Sequence, residues 1–193
     1  MMNKIGMKRT TILAPLFLLI VAACAHAQEL NPQLTEVSNA LECLRKRDMS
    51  QWTRERVEPF TGGKDVLVEF WSLWGRRVKL SFMPYATEAA ATKAMQEFAA
   101  STKAKRVEGI RDEAYSWGYS DNIALRKGNL LVFIGTHSLM PSVVGSLEQS
   151  EVEEFEREDE RKMNKGFARL LSQMLADLAA VCNPGPPGLY IKF

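Results

Sequence analysis

The stretch VLVEFWSLWGRRVKLSF, residues 66–82, decides how the rest of the chain is read. Val66, Val68 and Phe70 alternate with Leu67, Glu69 and Trp71. After Gly75, Val78, Leu80 and Phe82 alternate with Arg77, Lys79 and Ser81. Successive side chains of a strand point to opposite faces, so a period of two in both runs predicts two strands, each with one face toward a core. Residues 72–76 join them, with Gly75 supplying the turn, and an antiparallel hairpin follows. The second strand is expected to stop at Pro84.

Working outward, the residues before the hairpin are helical in pattern. Leu34, Val37, Leu41 and Leu44 recur at three-and-four spacing, one apolar stripe of an amphipathic helix over residues 32–47. Cys43 lies at the edge of that stripe. Residues 50–57 are expected as a second short helix capped by Ser50, ended by Pro59 and Gly62-Gly63.

After the hairpin, Thr87 can cap a helix whose stripe is Ala91, Ala94, Met95, Phe98 and Ala99. Its alanines would let it lie close on a sheet. Residues 113–119 are expected as a third strand, with Tyr115, Trp117 and Tyr119 on one face. Residues 122–126 and 130–134 are read as a fourth and fifth, joined by Lys127-Gly128-Asn129, a tight-turn composition. The fifth, Leu130 to Ile134, is apolar on both faces and should be central.

Residues 135–149 are read as a loop, and residues 151–181 as one long helix. Its second half carries Met163, Phe167, Leu171, Met174 and Leu178 at helical spacing, with Cys182 just beyond. Its first half is acidic and reads as solvated, supported by i,i+4 pairs such as Glu153–Arg157 and Glu158–Lys162. Asn183-Pro184-Gly185 stops it. The final residues, 188–193, are read as a docked tail or short strand.

Strands do not alternate one by one with helices, so the expected class is α+β. It would have a mainly antiparallel sheet of about five strands packed against three helices.

The beginning of the chain predicts export. Lys4, Lys8 and Arg9 precede an uncharged apolar run over residues 11–25, closed by Ala25-His26-Ala27. That is the pattern of a secretory signal peptide over residues 1–27, cut before Gln28 to leave a single domain over 28–193. A second cut is open: Val21-Ala22-Ala23-Cys24 resembles a bacterial lipobox, in which Cys24 would be lipidated. A membrane enters the reading only in that case.

The leader holds three of the 25 Lys and Arg residues and none of the 23 Asp and Glu, so the chain from Gln28 has 22 basic and 23 acidic side chains. That balance lacks the basic excess of a nucleic-acid binder, and no such partner is expected. Cys43 and Cys182 are the two cysteines left after the leader. In an oxidising compartment they predict a disulfide tying the N- and C-terminal helices.

Catalytic and metal patterns are weak. The only histidine after the leader is His137, and the sequence holds no cluster at ligand spacing, so neither a metal nor a cofactor is expected. Gly135-Thr136-His137-Ser138 follows a central strand without an evident carboxylate to orient the imidazole.

The leading expectation is therefore a non-enzymatic binding module of the bacterial periplasm or cell envelope. It would recognise an envelope protein or a small ligand through its sheet and aromatic turn: Trp71, Trp74, Arg76, Arg77, Tyr115, Trp117, Tyr119 and His137. One alternative is a hydrolase-like enzyme assembled around His137 with Ser138, Asp121 and Glu113. Another is a structural envelope protein anchored through a lipid on Cys24.

Overall fold

A computed structural model gives the fold over residues 31–57, 66–110, 113–138 and 149–183. The expected leader, the alternative lipidation at Cys24 and the C-terminal tail concern residues outside these.

The fold is α+β. Helix α1 (Pro32–Asp48) leads to β1 (Thr53–Val57), the hairpin β2 (Leu67–Leu73) and β3 (Arg76–Pro84), then α2 (Glu88–Thr102). Strands β4 (Lys105–Arg106), β5 (Glu113–Trp117), β6 (Asn122–Lys127) and β7 (Leu130–Ser138) follow, then α3 (Gln149–Ala176) and α4 (Leu178–Cys182). The seven strands form one antiparallel sheet in the order β1-β2-β3-β7-β6-β5-β4.

The expected antiparallel hairpin is present, but its link is shorter than residues 72–76: the strands extend to Leu73 and from Arg76, which pair around a two-residue turn. Its inward row is Leu67, Glu69 and Trp71, facing Val78, Leu80 and Phe82 of β3 and Val132 and Ile134 of β7. Helix α1 adds Leu34, Val37, Leu41 and Leu44 to this core, and α3 adds Phe167, Leu170, Leu171 and Met174. Phe167 meets both Trp52 and Trp71 edge-on, at 5.2 and 6.2 Å between ring centroids. On the other face, Ala91 and Met95 of α2 lie on Ala124 and Leu131. Small side chains let that helix approach the sheet, as the sequence predicts. Thr87 caps it, its Oγ1 accepting from Ala90 N at 3.1 Å.

The Cys43–Cys182 disulfide joins α1 to α4, with the Cα atoms 5.2 Å apart. Among the described residues no helix is long and apolar enough to cross a membrane.

Several expectations are corrected. Residues 53–57 form strand β1 rather than a helix. The reason is that its inward side chain, Arg54, is charged and so hides the alternation. Arg54 Nε donates to the fully buried Glu69 Oε2 at 2.7 Å, and its Nη2 donates to Glu69 Oε1 and to Ser38 Oγ. Trp71 Nε1 also donates to Glu69, at 3.2 Å, and Arg54 Nη1 reaches Glu42 at 3.3 Å. A buried carboxylate is tolerated when it is paired and hydrogen-bonded in this way. Burial opposes the charge of Arg54, but Glu69 and Glu42 outweigh it and raise its pKa.

The sheet also gains the two-residue β4, too short to carry a period. The fifth expected strand, here β7, runs on to Ser138 instead of stopping at Ile134. Gly135 suits that extension, because a Cβ there would come within 3.1 Å of Asn122 Oδ1. The long helix breaks at Asp177, whose side chain caps the short α4 through Ala180 N. The described residues thus hold four helices and seven strands, against the three and five expected.

Candidate binding surface

Two hairpin turns and the first half of α3 meet at one end of the sheet. The β2–β3 turn is Trp74-Gly75, with φ of 45° and 76°. Positive φ at both central residues is the type I′ pattern, whose backbone twist matches that of the strands it joins. Asn, Asp or Gly ordinarily takes the first position. Here the bulkiest residue occupies it. A left-handed backbone costs an L-residue roughly 1–2 kcal/mol, and Trp74 recovers little by packing, since it is 75% exposed.

Arg76, at the start of β3, fixes this turn to α3. Its Nε and Nη2 donate to the two carboxylate oxygens of Asp159, both at 2.8 Å. Arg77 lies on the other face of the sheet, with its guanidinium 4.0 Å from the centre of the Phe70 ring and 3.4 Å from Glu55.

The β5–β6 turn stands on the other flank of the helix. It contains Gly118 and Asp121, both at positive φ, and Tyr119, which is 79% exposed. Arg161 of α3 holds it by donating to Asp121 at 2.8 Å, and it also pairs with Glu158 at 2.6 Å. The charge of Asp121 is the chief reason that Arg161 is pushed above its ordinary pKa. Arg157 lies over the Tyr119 ring at 4.9 Å. Beneath, Asn164 accepts from the buried Thr136 Oγ1 at 2.5 Å and donates to Ser120 O at 2.9 Å, tying β7, the turn and α3 together. Tyr119, Glu154, Phe155, Arg157, Glu158 and Arg161 line a groove of about 660 Å³.

The sequence-predicted site residues therefore divide. Trp74, Arg76 and Tyr119 stand at this end, and the His137 backbone pairs there with Arg77; the His137 side chain lies outside the described part of the strand. Tyr115 and Trp117 are half-buried beneath α2, where Trp117 packs edge-on against Phe98 and Phe133 at 4.9 and 5.9 Å. Trp71 does not belong to any surface: it is 0% exposed and sits in the core, because its row faces α1 and α3.

The residues proposed to gather around His137 do not all converge. Asp121 is at this end, bonded to Arg161. Glu113 pairs with Arg126, opposite Leu131 of β7. At about 3.3 Å per residue, that is roughly 20 Å down the sheet from His137.

The sequence reading missed Phe155, which is 68% exposed. It is the one large apolar side chain among residues 153–162, and its isolation in an acidic run was the available signal. Trp74, Tyr119 and Phe155 are the most exposed large hydrophobic side chains among the described residues. Such an arrangement can hold a partner by aromatic contact and oriented charge.

Compared with protein-family models, with characterised proteins and with solved structures, the chain matches none.

Proposed function

We propose that this protein is a non-enzymatic binding module, exported to the periplasm or cell envelope, that takes a protein partner at the end of the sheet bearing Trp74. One observation carries the reading: Trp74 occupies a left-handed turn position and remains 75% exposed. Strained backbone persists where surroundings or function require it, and here little packing rewards it. Trp and Arg are the residues most enriched at interface hot spots. A protruding turn suits a protein surface, whereas small ligands favour enclosed clefts. The disulfide and the leader pattern support an oxidising compartment.

In-cell crosslinking of wild type and Trp74→Asn tests the binding reading. The expected result is a discrete envelope-protein adduct with wild type that Trp74→Asn loses while the protein stays folded. An adduct retained at full yield would overturn it. An intact mass of the exported protein tests the location: a chain beginning at Gln28 supports the soluble form, and a lipidated Cys24 overturns it.

A further inference from the structure

We infer that the groove between the β5–β6 turn and the first half of α3 receives a Lys- or Arg-bearing segment of the partner protein. The inference rests on the reading of this end as a partner surface and adds the chemistry of what it accepts.

The groove's own cations are already engaged. Arg161 is held by Asp121 and Glu158. Arg157 lies over Tyr119, and its Nε donates to Glu153 O at 2.9 Å. The lining itself holds two acids, Glu154 and Glu158, against those two arginines, but the helix segment that forms one wall is acidic: residues 149–162 carry seven acidic and three basic side chains. Asp159 is satisfied by Arg76, and Glu158 by Arg161 and Lys162. The exposed Glu154 lines the groove and has no ion-pair partner among the described residues. An exposed carboxylate with no ion-pair partner among the described residues is thus placed beside two exposed aromatic rings, Phe155 and Tyr119.

Aromatic faces attract cations, and Tyr119 already holds a guanidinium within the chain. The long aliphatic stem of Lys or Arg can lie on Phe155 while its charged head reaches Glu154. The sign of the charge also separates this occupant from its nearest rival. Exposed Trp, Tyr and Phe suit a membrane interface as well, but an acidic helix face is repelled by anionic headgroups.

The test is a titration of the exported, disulfide-bonded protein followed by NMR shift mapping. The probes are a short peptide alternating lysine and leucine, its glutamate–leucine counterpart, and vesicles of phosphatidylglycerol and phosphatidylcholine. The lysine peptide is expected to shift Tyr119, Glu154 and Phe155, with binding weakened by salt. Glu154→Lys and Phe155→Ala, both at exposed helix positions, should each weaken it by about fivefold or more with an unchanged unfolding midpoint. Equal binding of the glutamate peptide, shifts that map elsewhere, or preferential capture by the vesicles would each overturn the inference. Crosslinking keeps the two readings apart. If Trp74→Asn abolishes the natural adduct and Glu154→Lys does not, the surface stands and the cationic segment fails. If neither variant affects it, both fail.

Discussion

The Trp74-Gly75 and Gly128-Asn129 turns close hairpins at opposite ends of the same sheet, and they are built on opposite principles. At Gly128, φ is +54°, taken by the residue that adopts it most easily. Asn129 then makes four bonds. Its Nδ2 donates to Tyr85 O at 2.7 Å and to Gln33 Oε1 at 3.3 Å, its Oδ1 accepts from Gln33 Nε2 at 3.0 Å, and its carbonyl accepts from Tyr85 N at 2.8 Å. That turn is locked to α1 and to the end of β3. The Trp74 turn puts an aromatic where asparagine or glycine fits best and leaves the ring in solvent. The first turn is explained by the fold alone; the second is not, and this difference is what points to a partner.

The contrast can be broken within one hairpin. Trp71→Ala should cost about 3–5 kcal/mol, as expected for a large core aromatic. Trp74→Ala should stay within about 0.5 kcal/mol of wild type, as expected for a surface position. Urea unfolding of the two variants measures both, and equal losses would erase the distinction. At the other end, Asn129→Ala should cost roughly 1–3 kcal/mol, because the Tyr85 carbonyl and the Gln33 side chain lose their partners. The same unfolding experiment reads it.

A smaller effect concerns how β1 and the β2–β3 hairpin are tied to α1. Glu42 on α1 has its pKa lowered from 4.5 to about 2, first by its bonds with Arg45, against a desolvation penalty, and then by Arg54. A depressed carboxyl stabilises the fold fully above pH 4.5 and loses that contribution as pH falls toward 2. Its side chain is 35% exposed, so solvent screening limits the effect to at most about 1 kcal/mol. Glu42→Gln should therefore lower the urea midpoint at neutral pH and converge on wild type near pH 2. A constant difference across that range would show that Glu42 acts through packing instead.

Much of this fold was legible because its signals are local. The alternation in residues 66–82, the stripes of α1 and α2 and the Gly128 turn each follow from short-range chemistry, and the Cys43–Cys182 pair, 139 residues apart, was legible from the cysteine count alone. What stayed hidden depends on partners distant in sequence. Residues 53–57 lack apolar alternation because the inward residue is Arg54, acceptable only once Glu69 lies beside it in β2. For the same reason Glu69 does not show that its row, with Trp71, faces inward. Trp74 could be named from composition and turn position, whereas Tyr119 was expected on the third strand with Tyr115 and Trp117 and instead lies in the turn after that strand ends at Trp117. Phe155 could not be joined to them, because Arg76–Asp159 and Arg161–Asp121 bring α3 to both turns only in three dimensions.

The most direct test of the account is the urea unfolding midpoint of Trp74→Asn against wild type. Asparagine tolerates the left-handed position better than tryptophan does. If Trp74 is kept for a partner and not for the fold, the variant should be more stable by about 0.5–1 kcal/mol, with an unchanged denaturant slope. A loss of stability would mean that the ring packs on its own chain, and would contradict the claim that this end of the sheet is made to be met.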